Sequence, residues 1–204
     1  MTKTYTEIIF DLETKSFFDD TGSFDPSILG VSLVSLYKRN LDENLKEIDG
    51  QMMSFWESDF PNMWQHFQQA NRIIGFNSKR FDVPALKNYA PPFFAKLPHY
   101  DLLEILRNTY GHGSSLDRIA KDTLNRGKID VGSNAIVYWN KGDKESLAKL
   151  KKYCEEDVAI TRDVYDFGLK NKHIKFTDRW NTPRVVDIDF SYPPEDPISQ
   201  ESLF

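Results

Sequence analysis

The stretch IIFDLET, residues 8–14, joins a strand suited to a protein core to two carboxylates at its end. Side chains alternate between the two faces of a strand, so Asp11 and Glu13 point to one face and Leu12 to the other. Two like charges held this close repel each other, and water, a basic partner or a metal cation must offset that repulsion. The stretch therefore predicts a neutralising partner beside the end of this strand.

The length and composition of the chain limit the class of protein. Its 204 residues fit one domain, or one domain with a small appendage. No run of about 18 apolar residues occurs, so we expect no membrane-spanning helix, and the first residues lack the apolar core of a signal peptide. The single cysteine, Cys154, excludes an internal disulfide and favours a reducing, cytoplasmic location.

The net charge of −5 argues against a protein that holds nucleic acid by bulk electrostatic attraction. The charge is unevenly spread, however. Lysine and arginine cluster in SKRF (78–81), RGK (126–128) and KGDKESLAKLKKY (141–153).

Hydrophobic periodicity predicts an α/β domain over residues 1–190. Strands are predicted over 4–14, 28–38, 45–56 and 72–77, and a last hairpin within 173–190 that turns at Asn181–Pro183. Helices are predicted over 60–71, 83–90, 99–110 and 114–125, and from Lys144 to about Asn171. This order indicates a mixed sheet flanked by helices. Residues 191–204, rich in proline and acids, are expected to form a flexible tail.

Two further segments place acids at the ends or inward faces of predicted elements. GFNSKRFDVPAL (75–86) puts Asp82 after a buried strand and at the start of a helix. LKKYCEEDVAITRDVY (150–165) puts Tyr153 and Asp157 four residues apart, hence on one helix face.

These three segments, in this order, resemble the motifs of the DEDD superfamily of 3′→5′ exonucleases, which share a ribonuclease H-like fold. The first motif, Asp-x-Glu, matches Asp11 and Glu13, and the second, Asn-x3-(Phe/Tyr)-Asp, matches Asn77, Phe81 and Asp82. The third has the form Tyr-x3-Asp at Tyr153 and Asp157. The other form of this motif requires a histidine where this chain has Lys152, so the chain resembles the tyrosine subclass. Over residues 5–190 it is most similar to bacterial exonucleases related to the proofreading domain of family B DNA polymerases.

The resemblance implies two divalent cations, Mg²⁺ or Mn²⁺, held by the carboxylates of Asp11, Glu13, Asp82 and Asp157. Hard cations prefer oxygen ligands, and two of them about 3.5–4 Å apart can neutralise a phosphate, activate water and stabilise the leaving oxygen. Asp11 is expected to bridge both cations, and the hydroxyl of Tyr153 to orient the attacking water. Without metal, we expect mutually repelling acids of which at least one has a raised pKa.

Residues beside the motifs are candidates for substrate binding. Phe17 is placed to wedge against a terminal base, because aromatic stacking serves single strands of any sequence, but core packing is an equal alternative. Lys79 and Arg80 are candidates for phosphate contacts or simply exposed charges. The remaining candidates are Thr14, Asn77 and Phe81. Asp101 is expected to cap its helix, with a supporting role at the site as the alternative.

The stretch QESLF, residues 200–204, resembles the Gln-x-x-Leu-Phe motif by which bacterial DNA enzymes bind the replicative sliding clamp. Gln200 is then expected in a polar subsite and Leu203 and Phe204 in an apolar pocket. The alternatives are an accident of the terminus or docking onto the protein's own surface.

Taken together, these patterns predict a metal-dependent exonuclease that degrades single-stranded DNA from the 3′ end to nucleoside monophosphates, in DNA repair or replication. One alternative is an RNA-trimming exonuclease with the same site. The other is an inactive nucleic-acid-binding scaffold, against which the complete set of four acids and Tyr153 argues.

Overall fold

A mixed five-stranded sheet forms the centre of the protein, in a computed structural model that describes residues 4–127 and 133–192. The strands are β1 (Tyr5–Thr14), β2 (Val31–Leu41), β3 (Glu47–Trp56), β4 (Arg72–Gly75) and β5 (His99–Asp101). Their order is β3-β2-β1-β4-β5, in which β1, β2 and β3 pair antiparallel and β1, β4 and β5 pair parallel. A separate hairpin consists of β6 (His173–Thr177) and β7 (Pro183–Asp187).

Helices cover both faces of this sheet. They are α1 (Phe18–Thr21), α2 (Phe60–Phe67), α3 (Asp82–Ala85), α4 (Leu102–Tyr110), α5 (Leu116–Leu124), α6 (Ser133–Lys141) and α7 (Lys144–Asn171). Short 3₁₀ turns occur at Pro26–Ile28, Glu57–Asp59, Leu86–Asn88 and Phe94–Lys96.

The alternation along β1 explains why the sheet is covered on both sides. Ile8 and Phe10 belong to a core cluster that includes residues of α2, whereas Ile9 belongs to the cluster formed with α7. Because side chains alternate, Asp11 and Glu13 continue the face of Ile9, toward α7. The sequence pattern thus aims both carboxylates at the longest helix.

The pairing of β1 leaves its end free on one side. β4 pairs with β1 only from Glu7 to Ile9, whereas β2 accompanies β1 as far as Thr14. Past the end of β4, the chain turns at Asn77, whose positive φ of 63° lies in the left-handed region. The loop after β4 therefore runs beside the part of β1 that carries Asp11 and Glu13.

Most predicted elements are confirmed, including the α/β mixed sheet, the hairpin after residue 173 and a helix over Lys144–Asn171. The helix predicted over 99–110 is wrong at its start, where His99–Asp101 forms strand β5. The helix predicted over 83–90 is also wrong, because only Asp82–Ala85 is α-helical and a 3₁₀ turn follows. Helix α6 has no counterpart in the sequence prediction.

The structure covers only the beginning of the predicted C-terminal tail. Residues 193–204 lie outside the described residues, and they contain most of the predicted tail and the motif at Gln200, Leu203 and Phe204. Among the described helices, none has both the length and the apolar character that crossing a bilayer requires.

Candidate active site

The two carboxylates at the end of β1 lie against the first half of α7. Asp11, Glu13 and Cys154 each place one possible ligand atom within 4.8 Å of the other two. The Cys154 thiol donates a hydrogen bond of 3.5 Å to the backbone carbonyl of Asp11. This contact joins α7 to β1 beside the acidic pair.

Tyr153 faces the carboxylates from α7. Its hydroxyl is hydrogen-bonded to Asp157, one helical turn further along. Burial raises the pKa of Tyr153 well above its usual value, and the negative charges of Asp157, Glu13 and Asp11 raise it further. The hydroxyl therefore stays protonated at neutral pH, and it lies in the field of all three carboxylates. The structure brings these four predicted site residues together.

Asp82 reaches the same strand from the other side. It begins α3, is only 4% exposed, and lies beside the backbone of Leu12, which acts to lower its pKa. Burial raises the pKa of Asp82 to about 7, and the negative charge of Asp101 contributes to the rise. The expected raised pKa is thus present, but its causes are burial and Asp101 rather than repulsion within the predicted set.

The Asp101 carboxylate fixes the loop that leads to Asp82. It is 1% exposed and accepts hydrogen bonds from the N–H groups of Asn77 at 2.8 Å and Lys79 at 3.0 Å. It also caps α4, accepting from the N–H groups of Leu103 and Glu104. The capping role is confirmed, and the additional bonds tie the β4–α3 loop to the start of α4.

Asp82 and Asp157 do not join the tight acidic group. In the described residues, the only three possible ligands within 4.8 Å of one another are those of Asp11, Glu13 and Cys154. The backbone of Leu12 lies beside the Asp82 carboxylate, and Asp157 is hydrogen-bonded to Tyr153. Asp82 and Asp157 therefore lie next to the group of Asp11, Glu13 and Cys154 rather than within it.

The predicted substrate-binding residues differ in their environments. Phe17 is 40% exposed and Arg80 is exposed, whereas Thr14 is buried and donates to the carbonyl of Ser16. Lys79 is ion-paired with Glu104 at 2.6 Å.

The other two predicted substrate-binding residues have mainly structural contacts. The side-chain oxygen of Asn77 accepts a hydrogen bond from Arg107 at 3.4 Å. Phe81 packs edge-on against Phe18 at 6.0 Å and against the core. Phe17 and Arg80 thus remain the candidates most accessible to a substrate.

Sequence reasoning missed two groups beside the site. The sequence analysis considered Cys154 only as an unpaired cysteine. Its position between Tyr153 and Asp157 on one predicted helix could have indicated that it lies near the site. Glu13 of β1 pairs with Leu33 of β2, and Leu33 pairs with Trp56 of β3, so Trp56 lies in the same cross-strand row as Glu13. The Trp56 ring stacks on Trp139 of α6, with ring centroids 6.4 Å apart. That row depends on strand register, which the sequence alone does not give.

Comparison with known families identifies the fold. The sequence profile described as the RNase H superfamily matches residues 8–167, from the first strand to near the end of α7. The chain belongs to the RNase H superfamily. A comparison with curated proteins finds no match. The matched range contains every residue of the three acidic motifs, and RNase H superfamily membership indicates a nuclease.

RNase H-like nucleases typically use divalent metals, and the donor set of this chain fits such ions. Asp11 and Glu13 offer closely spaced oxygens, and Asp157 and Asp82 offer two more at the same end of β1. Carboxylate oxygens suit Mg²⁺ and Mn²⁺. The Cys154 thiol fits these ions poorly, since burial and the charges of Asp11 and Glu13 raise its pKa well above normal and keep it protonated.

Proposed function

We propose that this protein is a metal-dependent 3′→5′ exonuclease that hydrolyses single-stranded DNA to nucleoside monophosphates. The observation that carries the proposal is the position of the Tyr153 hydroxyl, which is bonded to Asp157 and lies in the field of Asp11 and Glu13. A neutral hydroxyl among three carboxylates is suited to hold a water molecule between groups that accept its protons. The order of the three motifs supports the tyrosine subclass of DEDD exonucleases.

Asp11, Glu13, Asp82 and Asp157 would hold the two cations. When bound, such ions supply charge neutralisation at the phosphate and a water of lowered pKa. Tyr153 orients the attacking water, and Asp157 fixes the direction of the Tyr153 hydroxyl. A tyrosine with an ordinary pKa of about 10 is a poor base at neutral pH, so the proposed role of this hydroxyl is to orient the water, with the cation lowering the pKa of that water.

The proposed substrate is a single strand with a free 3′ end. Phe17 follows Thr14 at the end of β1 and exposes 40% of its surface, so a terminal base can stack on it. Stacking does not discriminate among bases, which fits degradation without sequence preference. Arg80 is exposed on the loop that leads to Asp82 and can contact a phosphate.

We further propose that the protein acts in DNA repair or replication and reaches DNA through a sliding clamp. A net charge of −5 gives little general attraction to DNA, whereas tethering to a ring on DNA raises the effective concentration of the enzyme at its substrate. Gln200, Leu203 and Phe204 are the proposed contacts.

Digestion of end-labelled oligonucleotides tests the activity. Single-stranded DNA, duplex DNA and a matched single-stranded RNA are each incubated with Mg²⁺, with Mn²⁺ and with EDTA. The proposal predicts metal-dependent shortening from the 3′ end, fastest on single-stranded DNA. Faster digestion of the RNA would replace DNA with RNA as the substrate, and absence of cleavage under all conditions would refute the nuclease.

A further inference from the structure

The turn between β6 and β7 holds a tryptophan out from the surface. Trp180 is 58% exposed. The buried carboxylate of Asp178 accepts hydrogen bonds from the N–H groups of Trp180 at 2.9 Å and Thr182 at 3.0 Å, and from Arg184 at 2.8 Å. The turn is therefore fixed by its own polar contacts. The exposed ring of Trp180 is thus presented on a turn that these contacts support.

A cation accompanies this ring. The guanidinium of Arg179 lies 4.1 Å from the centre of the Trp180 ring. Arg179 is exposed and makes no ion pair with any residue that the structure describes. An exposed indole beside an uncompensated guanidinium offers one surface for a base and one charge for a phosphate.

Aromatic rings continue from Trp180 toward the β4–α3 loop. The ring of His112 lies 5.8 Å from that of Trp180, and the ring of Tyr110 lies 6.2 Å from that of His112. Both contacts are edge-to-face, and His112 is exposed. The rings thus form a chain of contacts from the hairpin to the end of α4.

Arg107 connects this row of aromatic contacts to the proposed active site. It lies one turn before Tyr110 on α4 and donates a hydrogen bond of 3.4 Å to the side chain of Asn77. Gly113 holds the following loop against α4, because a Cβ atom there would lie 3.1 Å from Arg107 Nε. The surface therefore leads to the loop whose far end carries Asp82.

From this arrangement we infer that Arg107, Tyr110, His112, Arg179 and Trp180, the hairpin strip, bind the part of a single-stranded nucleic acid that lies upstream of its 3′ end. A base stacks on Trp180, and phosphates lie at Arg179 and Arg107. The alternation of rings and cations is the pattern by which proteins hold single strands without reading their sequence. The inference rests on the proposed function, which places the 3′ end at Asp82 and Asp11.

The charge of the strip favours a nucleic acid over a protein partner. The protein carries a net charge of −5, yet neither Arg179 nor Arg107 has a carboxylate bonded to it among the described residues. Asp178, the acid of the turn, is already paired with Arg184. A polyanion gains from each of these cations.

Fluorescence anisotropy with labelled oligo(dT) of 6 and 20 nucleotides tests the strip. Binding is measured in EDTA, so that the result does not depend on cleavage. The variant Trp180→Ala with Arg179→Ala is expected to bind the 20-mer about 10-fold to 100-fold more weakly and to lose most of the affinity gained with length. The salt dependence of 20-mer binding is expected to become shallower as well, because a phosphate contact is lost.

Two exposed positions supply matched controls. Val185→Ala changes an exposed apolar residue on the same hairpin, and Arg118→Ala removes an exposed arginine on α5. Both are expected to bind the 20-mer like the wild type.

Equal 20-mer affinity of the wild type and the double variant would overturn the inference, and the surface would then be a candidate for a protein contact. Loss of affinity in both controls would also overturn it. These outcomes are independent of catalysis, so a protein that binds through the strip but never cleaves would refute the proposed function alone.

Discussion

The carboxylate of Asp101 accepts a hydrogen bond of 2.8 Å from the backbone N–H of Asn77, across 24 residues of sequence. Asn77 has a left-handed backbone and begins the loop that delivers Asp82 to β1. The other oxygen of Asp101 accepts from Lys79, and the same side chain caps α4. One buried carboxylate therefore fixes the position of a proposed metal ligand without touching the strand that it serves.

Replacing Asp101 should separate this linking role from ordinary capping. Asp101→Ala leaves buried N–H groups on the loop and on α4 unpaired, so we expect the free energy of unfolding to fall by about 2–4 kcal/mol. Ser115→Ala, which removes the N-cap of α5 alone, should cost about 1 kcal/mol. Urea denaturation measures both, and equal losses would show that Asp101 is only a cap.

Removing a carboxylate should abolish activity without unfolding the protein. Asp11→Ala and Asp157→Asn are each expected to lower the cleavage rate by about 100-fold or more, because phosphate charge is no longer neutralised. Thermal stability in EDTA should not fall, since like-charge repulsion is relieved. The control is Glu145→Gln, which changes an exposed acid at the start of α7. Near wild-type rates in either site variant would contradict the assignment.

Tyr153→Phe removes only the hydroxyl that is bonded to Asp157. If that group orients water, kcat should fall about 10-fold to 1000-fold while DNA affinity stays nearly constant. Tyr165→Phe is the matched control, because Tyr165 is a buried tyrosine of α7 whose hydroxyl donates to Glu7, away from the site. It should reduce stability and leave kcat unchanged. An unaltered kcat in Tyr153→Phe would reduce Tyr153 to a packing residue.

The raised pKa of Asp82 predicts a pH dependence of stability in the metal-free protein. The folded protein holds a proton on Asp82 up to about pH 7, whereas in the unfolded chain the carboxyl titrates near its ordinary value of 3.8. The unfolded state binds fewer protons between these values, so this group's contribution to stability is present at low pH and is lost as the pH rises toward 7.

Asp82→Asn removes that titration. In EDTA, the free energy of unfolding of the wild type should fall steadily relative to that of the variant from pH 4 to pH 7. Asp19→Asn, at an exposed position, should give a constant difference from wild type. Parallel curves for wild type and Asp82→Asn would show that Asp82 does not hold its proton.

The parts that the sequence predicted are those with strong local patterns. The alternation in β1 identified the strand and the shared face of Asp11 and Glu13, and the long periodicity from Lys144 to Asn171 identified α7. Strand β5 was misassigned because three residues are too few for a period and run directly into α4. The prediction over 83–90 failed because the α-helix there lasts barely one turn.

The parts that the sequence did not predict depend on contacts between distant residues. Cys154 meets Asp11 across 143 residues, and the hairpin strip brings Tyr110 and His112 to Trp180. No local pattern encodes such pairs. The acidic motifs could be found from sequence because each is short and contiguous, but their supports, Asp101 above all, required the fold.

The motif at Gln200, Leu203 and Phe204 leads to a prediction about a partner protein. We expect the intact protein to bind a bacterial sliding clamp with micromolar affinity, because a few anchor residues of a short linear motif suffice for such contacts. Deleting residues 200–204, or combining Leu203→Ala with Phe204→Ala, should abolish binding in titration calorimetry. The Gln200 side chain is expected to contribute less than the two apolar anchors.

The same truncation separates tethering from catalysis. Residues 200–204 supply none of the proposed metal ligands, so cleavage of short free oligonucleotides should continue at the wild-type rate after their deletion. On clamp-loaded DNA, the truncated protein should lose the advantage that a raised local concentration gives. A matched change outside the motif, Ser199→Ala, should preserve both clamp binding and cleavage. Absence of clamp binding at tens of micromolar, or loss of activity on free oligonucleotides after truncation, would assign these residues another role.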